Sequence, residues 1–130
     1  MNNYIIVDDD PVNNTICKIT IKRALGSIDI KTFLDPEEGL EFINAEYSDI
    51  RQHGIIFLDI NMPTINGWEF MEKFGLFKEE IRNKLVVYIV SSSVDQRDKD
   101  KAKQNPLIKG FLSKPLTVEM IQAIEENNLS

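Results

Sequence analysis

Three short runs of apolar residues constrain this chain more than any other feature of its sequence. Residues 4–7, 55–58 and 85–90 are rich in β-branched and aromatic side chains, and no polar residue alternates with them. Such runs are typical of strands that are covered on both faces, as the inner strands of a parallel sheet are. Two weaker runs, residues 28–34 and 108–112, carry polar residues between apolar ones and predict edge strands.

Amphipathic stretches lie between these runs, and two of them begin with an aspartate followed by proline. Asp10-Pro11 and Asp35-Pro36 each place a helix cap before a residue that suits the first helical turn. The first predicted helix runs to Gly26, and its apolar residues recur at helical spacing: Val12, Ile16 and Ile19, then Cys17, Ile21 and Leu25. In the second we expect Asp35 to form a capping pair with Glu38 and the buried stripe to be Leu40, Ile43 and Tyr47.

Three further helices are predicted in the second half of the chain. One follows Gly67, with Trp68, Met71, Phe74 and Phe77 facing inward. Residues 94–105 form a helix only if it is loosely packed, because the only apolar residue between Val94 and Leu107 is Ala102. The last helix begins near Thr117 and passes through Ile121 and Ile124.

Strands and helices therefore alternate five times, which predicts the α/β class. Right-handed crossovers turn this order into an open, doubly wound parallel sheet of five strands with helices on both faces. A length of 130 residues corresponds to roughly one domain. We expect one domain over residues 1–130 with no separate output domain.

Charge and cysteine content exclude several classes of protein. The net charge is −6, and all of the excess lies in residues 1–65, which carry 5 Lys and Arg against 11 Asp and Glu. Nucleic acids and anionic membranes need a clustered basic face, so neither is an expected partner. The single cysteine, Cys17, precludes an intrachain disulfide, and the N-terminus lacks the pattern of a signal peptide. A cytoplasmic protein is the expectation.

Polar residues stand directly after four of the five predicted strands: Asp8-Asp9-Asp10, Asp59, Ser91-Ser92-Ser93 and Ser113-Lys114-Pro115. In a parallel sheet these strand ends meet at one edge, where ligands bind. Clustered carboxylates there either raise a pKa or hold a hard divalent cation. With His53 the only histidine and no cysteine cluster, Mg²⁺ fits better than zinc or iron.

A lysine and a hydroxyl facing the same carboxylates are suitable donors for an anion. Phosphate chemistry on a carboxylate is therefore the natural interpretation of this edge. The six glycines form neither a dinucleotide-binding nor a P-loop fingerprint.

Four motifs together resemble the receiver domain of two-component response regulators. They are Val7-Asp8-Asp9, the segment 58–67 with its Asp-x-x-Met-Pro-x-x-Asn-Gly pattern, Val90-Ser91-Ser92, and the segment 110–115 ending in Ser113-Lys114-Pro115. The resemblance covers nearly the whole chain. It implies a flavodoxin-like (βα)5 fold, as in the chemotaxis protein CheY, with strand order 2-1-3-4-5.

The resemblance also implies a role for each residue at this edge. Asp59 would be the phosphoacceptor, Asp9 a direct Mg²⁺ ligand, Asp8 the holder of a metal-bound water, and the backbone carbonyl of Asn61 a further ligand. Lys114 would bind a phosphoryl oxygen and pair with Asp59 in the resting state. Ser91 would move its hydroxyl onto the phosphoryl group, and Phe111 would turn inward with it.

By the same resemblance, the protein is a phosphoacceptor switch rather than a turnover enzyme. A histidine kinase or a histidine phosphotransfer protein would supply the phosphoryl group. A downstream protein would read the surface formed by the predicted fourth helix, fifth strand and fifth helix, and the protein would be a monomer or a phosphorylation-dependent dimer. Residues 97–109 of that surface carry 5 basic and 2 acidic residues.

Two alternatives belong to other classes. An aspartyl-phosphate phosphatase needs an Asp-x-Asp-x-Thr pattern, whereas Asp59 is followed by Ile60-Asn61-Met62. A degenerate receiver that binds partners without phosphorylation should lack an acid or the lysine, and none is missing from this sequence.

Overall fold

The structure, a computed structural model, describes residues 2–48 and 52–128. The elements in chain order are β1 (Asn3–Val7), α1 (Pro11–Leu25), β2 (Ile30–Phe33), α2 (Pro36–Glu46), β3 (Gly54–Leu58), α3 (Gly67–Gly75), α4 (Glu79–Arg82), β4 (Leu85–Ser91), α5 (Gln96–Gln104), β5 (Ile108–Ser113) and α6 (Val118–Asn127). All strand pairs are parallel, in the order β2-β1-β3-β4-β5. The predicted fold class and strand order are confirmed.

The inner and outer strands are those that the sequence predicted. Strands β1, β3 and β4 occupy the centre of the sheet and are almost wholly buried, whereas β2 and β5 lie at its edges and expose part of their residues. The register pairs Val7 with Leu58, Leu58 with Ile89, and Ser91 with Ser113. The residues that follow β1, β3 and β5 are therefore brought to the same edge.

Helices cover both faces of the sheet, because successive residues of the inner strands point to opposite sides. One face packs against α2, α3 and α5, and its core includes Ile5, Val7, Ile56, Leu58, Leu40, Ile43, Phe70 and Phe74. The other packs against α1 and α6, with Tyr4, Ile6, Phe57, Val90, Ile21, Ile121 and Ile124 in its core. The predicted buried stripes of α2 and α6 are confirmed.

Helix α1 buries only one of the two apolar rows found in the sequence. Ile21 is fully buried and Cys17 is half-buried, whereas Val12, Ile16 and Ile19 are 63 %, 48 % and 46 % exposed. The two rows occupy different sides of the helix, and only one side can face the sheet. An exposed apolar row therefore runs along α1.

Helix caps differ from the sequence expectation in one place. Asp10 and Asp35 cap α1 and α2 as predicted, each accepting from the backbone two residues on. Glu38 does not complete a capping box with Asp35; the reciprocal pair is instead Asn66 and Glu69 at the start of α3. The Asp35 oxygen accepts from the second helical residue rather than the third, so the reciprocal geometry with Glu38 is not formed.

The region after α3 also differs from the expectation of five helices. Helix α3 ends at Gly75, so Phe77 packs against the core from the following turn. The short helix α4 then buries Ile81. Helix α5 spans residues 96–104 and buries only Ala102, which agrees with the predicted loosely packed helix.

A buried carboxylate attaches α6 to the first strand. Glu125 is 6 % exposed and accepts hydrogen bonds from the backbone N–H and the side-chain amide of Asn2, and from the Tyr4 hydroxyl at 2.5 Å. Burial and the carboxylate of Glu125 raise the pKa of Tyr4, so its hydroxyl stays a donor. This network attaches α6 to β1, although the two elements lie at opposite ends of the chain.

Three smaller points complete the fold. His53 is exposed just before β3. Among the described residues, no helix is long and apolar enough to cross a membrane. Residues 1, 49–51 and 129–130, which the single-domain expectation includes, lie outside the described residues.

Candidate functional site

Three carboxylates gather at the edge where the carboxyl ends of β1 and β3 meet. One oxygen from each of Asp8, Asp9 and Asp59 lies within 4.8 Å of the others. Asp8 is 5 % and Asp59 is 7 % exposed, whereas Asp9 is exposed. Asp10 points elsewhere and caps α1. The sequence expectation that these strand ends converge is met in the structure.

Lys114 brings a positive charge to the acid cluster from the end of β5. Its Nζ donates to Asp8 Oδ2 at 2.8 Å and lies 3.9 Å from Asp59 Oδ1. The resemblance implied pairing with Asp59, but the hydrogen bond goes to Asp8 and Asp59 has only the longer ion pair. The other Asp8 oxygen accepts from the Asp10 backbone N–H, so both of its oxygens are engaged.

Burial makes Asp59 the unusual acid of the cluster. Removal from water, followed by the negative charge of Asp8, raises the pKa of Asp59 from 3.8 to about 6. Lys114 and the backbone N–H of Asn61, which donates to Asp59 Oδ1 at 3.3 Å, oppose this rise. A carboxylate that is costly to ionise gains most from a cation placed beside it.

The loop after β3 passes very close to the backbone that carries Asp59. A Cβ on Gly67 would lie 2.8 Å from Ile60 Cα and 2.9 Å from the Asp59 carbonyl oxygen. Gly67 does not have a positive φ, since Gly26 is the only described residue with one. Glycine is needed at 67 for the close approach, which also lets its N–H bond to Ile60 O at 3.1 Å.

The structure adds Asn14 to the residues that support the acid cluster. Asn14 is 5 % exposed on α1, and its side-chain amide donates to the Asp8 carbonyl oxygen at 2.9 Å. Its own Oδ1 is buried without a partner in the described residues. The sequence signal was available, since a polar residue occupies an inward position one turn into an amphipathic helix.

Ser91 is the last residue of β4, and Phe111 lies two residues before the end of β5. Ser91 is fully buried, and its Oγ accepts from the backbone N–H of Ser93 at 3.0 Å. Lys114 N–H bonds to the Ser91 carbonyl at 3.0 Å, which fixes the ends of these strands together. Phe111 is half-buried against the core shared with α2, α3 and α5.

A cavity of about 330 Å³ opens next to the acids, between α1 and residues 114–116. Apolar side chains, among them Ile16 and Leu116, line most of it, and Asp8, Asp59 and Lys114 contribute charged groups to its lining. Cys17 also lines it, and burial, with the negative charge of Asp8, raises the pKa of its thiol to about 12. Cys17 is therefore packing rather than a nucleophile.

Comparison with known families identifies this arrangement. The model of the response regulator receiver domain matches residues 4–125, which is nearly the whole chain. The chain belongs to the response regulator receiver domain family. Receiver domains are signalling switches of two-component systems, bind Mg²⁺ at an acidic pocket, and act with phosphodonor kinases or phosphotransfer proteins.

Solved structures agree with the family. A response regulator receiver protein from Dyadobacter fermentans is 28% identical at a TM-score of 0.89, covering 98% of this receiver domain and 97% of that chain. A two-component response regulator from Cytophaga hutchinsonii is 30% identical at a TM-score of 0.89, with 98% and 96% covered. The Vibrio cholerae chemotaxis protein CheY4, 22% identical at a TM-score of 0.75 over 99% of both chains, has the same fold. No curated protein was found to match the sequence.

Proposed function

We propose that Asp59 of this receiver domain accepts a phosphoryl group from a phosphohistidine of a sensor kinase or a phosphotransfer protein. One observation carries the proposal: a nearly buried carboxylate at the end of β3 lies within 4.8 Å of two further carboxylates and 3.9 Å from the Lys114 ammonium. In the reaction an Asp59 oxygen forms a bond to phosphorus while the phosphorus–nitrogen bond breaks. The electron pair stays on the imidazole nitrogen, which then takes up a proton.

The acid cluster fits Mg²⁺ by its chemistry. Its donors are carboxylate oxygens, the hard ligands that Mg²⁺ prefers, and they are close enough to share one ion. We assign Asp9, Asp59 and the Asn61 carbonyl as direct ligands, and Asp8 as the residue that holds a bound water. A bound Mg²⁺ supplies positive charge that offsets the charge on the oxygens of the transferring phosphoryl group.

Lys114 and Ser91 complete the proposed chemistry. Lys114 is already anchored at the site by Asp8, so it can contact a phosphoryl oxygen on Asp59 with little reorganisation. The new phosphoryl group carries about −2 charge and is a strong acceptor, towards which we expect the Ser91 hydroxyl to turn. Phe111, half-buried on the adjacent strand, would then turn inward.

The phosphodonor needs to reach Asp59 from outside. The exposed apolar row of α1 lies on the same side as the cavity beside Asp59, and Ile16 belongs to both. A helix of a partner protein that carries the phosphohistidine would cover apolar surface there and gain free energy from it. We assign this side to the phosphodonor.

The downstream partner is assigned to the surface of α5, β5 and α6. These are the fourth helix, fifth strand and fifth helix of the sequence expectation, renumbered by the extra helix α4. A groove of about 440 Å³ there contains Phe111 together with Lys99, Lys103 and Lys109. We further propose that residues 1–130 form one domain of a cytoplasmic protein, which is a monomer or a dimer formed on phosphorylation.

Intact-mass analysis after incubation with Mg²⁺ and acetyl phosphate tests the phosphoacceptor. We expect one added phosphoryl group on the wild type and none on Asp59→Asn. Asp10→Asn is the matched control, because Asp10 is the neighbouring acid that caps α1, and we expect it to be labelled. Labelling retained in Asp59→Asn would exclude Asp59 as the acceptor.

A further inference from the structure

A chain of hydrogen bonds joins the end of β4 to the start of α5. Ser91 Oγ accepts from the Ser93 N–H at 3.0 Å. The Ser93 hydroxyl donates to Asp98 Oδ2 at 2.8 Å and accepts from the Asp95 N–H at 3.2 Å. Asp95 is the N-cap of α5 and Asp98 lies in its first turn. Ser93 thus connects Ser91 directly to the N-terminus of this helix.

Few buried apolar side chains hold α5 against the sheet. Ala102 is its only buried residue, and the groove of about 440 Å³ separates part of it from β5. On its other side, Lys101 Nζ lies 4.9 Å from the centre of the Trp68 ring of α3. Since few apolar contacts fix α5, the polar contacts at its N-terminus contribute a large share of what determines its position.

We propose that the Ser93–Asp98 hydrogen bond is a latch that holds α5 in the unphosphorylated arrangement and opens when Ser91 turns towards Asp59. The latch rests on the proposed function, because it is Ser91 that opens it. When Ser91 Oγ turns to a phosphoryl group it leaves the Ser93 N–H. The turn that places the Ser93 hydroxyl against Asp98 is then lost, and the start of α5 is released.

A latch of this kind has a defined effect on ligand binding. A contact made only in the unliganded state opposes every ligand that favours the other state, so removing the contact strengthens binding. A hydrogen bond at a half-buried position contributes enough to change the affinity by about threefold to tenfold. Ser93 and Asp98 are therefore positioning residues, and neither need touch the phosphoryl group.

The fluorescence of Trp68 reports on the position of α5 independently of ligand binding at Asp59. It is the only tryptophan of the chain, and Lys101 of α5 lies over its ring. Release of α5 should change the emission of Trp68. If Ser93 holds the latch, unliganded Ser93→Ala should already show part of the change that the wild type undergoes on binding.

The test measures the affinity of the full chain for beryllofluoride with Mg²⁺, Trp68 emission, and amide hydrogen exchange of residues 96–104. We expect Ser93→Ala and Asp98→Ala to bind about threefold to tenfold more tightly than the wild type, and the double variant no more tightly than either. Exchange in α5 should be faster in both unliganded variants. Ser93→Thr, which keeps the hydroxyl, should restore wild-type behaviour.

Asp100→Ala is the matched control, because Asp100 is an exposed acid of α5 whose side chain, among the described residues, bonds only to Gln96. The latch is overturned if Ser93→Ala has wild-type affinity and wild-type exchange in α5, or if Asp100→Ala reproduces its effects. Failure of the proposed function looks different: the wild type would not bind beryllofluoride. In that case, amide exchange of α5 in unliganded Ser93→Ala would still show whether Ser93 holds the helix: faster exchange than in the wild type supports this, and equal exchange refutes it.

Discussion

The carboxylates of Asp8 and Asp59 approach within 4.8 Å of each other while neither residue is more than 7 % exposed. Water screens two such charges poorly, so their repulsion is strong. Lys114 makes its hydrogen bond to Asp8 rather than to Asp59. Burial, followed by the negative charge of Asp8, therefore raises the pKa of Asp59 to about 6.

Asp59→Asn should accordingly stabilise the metal-free protein. With a pKa of about 6 in the folded state against 3.8 in the unfolded state, the folded protein binds more protons between these values. The free energy of unfolding of the wild type therefore falls, relative to the variant, as the pH rises through this window. We expect an advantage for Asp59→Asn of about 3 kcal/mol at pH 8 and about half of that at pH 5.

Urea denaturation in EDTA at several pH values measures this difference. Asp100→Asn, a neutralised exposed acid, is the control for net charge and should show no such dependence. An advantage for Asp59→Asn that stays constant between pH 5 and pH 8 would contradict a raised pKa at this residue.

Asp9 is a proposed direct ligand of Mg²⁺, so we expect Asp9→Ala to weaken Mg²⁺ binding at least about tenfold. Asp10→Ala should leave the affinity almost unchanged and should instead destabilise α1 by about 1 kcal/mol through loss of its cap. Calorimetric titration with Mg²⁺ separates the two effects. Equal losses of affinity would mean that the Mg²⁺ ligands in the run Asp8-Asp9-Asp10 are assigned to the wrong residues.

Gly67→Ala should destabilise the protein by about 2–4 kcal/mol, because the new Cβ would press on the backbone of Ile60 and Asp59. Gly75→Ala is the matched control on the same helix. A Cβ there meets only Leu107 Cδ1 at 3.7 Å, an ordinary contact, and should be neutral or stabilising. Urea denaturation gives both values, and similar stabilities for the two variants would refute the close approach at Gly67.

Tyr4→Phe should cost about 1.5–3 kcal/mol, since it removes a hydrogen bond to the buried Glu125 carboxylate. Tyr88→Phe provides a comparison, because the Tyr88 hydroxyl accepts from the neutral amide of Asn128 at a partly buried position. Its loss should cost about 0.5–1.5 kcal/mol. Thermal or urea denaturation measures both, and a larger cost for Tyr88→Phe would argue against the Glu125 network.

The sheet was predictable because the residues of each strand indicate whether the strand is covered on both faces or lies at an edge. Runs without polar residues became the covered strands β1, β3 and β4, and runs with polar residues became the edges. Convergence of the strand-end residues then follows from parallel topology alone. The acid cluster was in this sense a consequence of the fold rather than a separate inference.

The features that could not be predicted from the sequence are those that depend on short segments or on small differences in distance. Helix α4 has four residues and one buried side chain, Ile81, so no periodicity exists to detect. Lys114 reaches both acids, and a difference of 2.8 Å against 3.9 Å decides its hydrogen bond. The need for glycine at 67 arises from the backbone of Ile60, which only the folded loop brings near.

The contact between Lys114 and Asp8 joins residues that are 106 positions apart. Closing a loop of that length costs conformational entropy, which the docking of β5 against β4 must offset. Until β5 docks at the edge of the sheet, the acids of β1 and β3 face one another without this cation. The site is therefore complete only once β5 has joined the sheet, and a chain in which β5 is undocked lacks the cation that faces the acids.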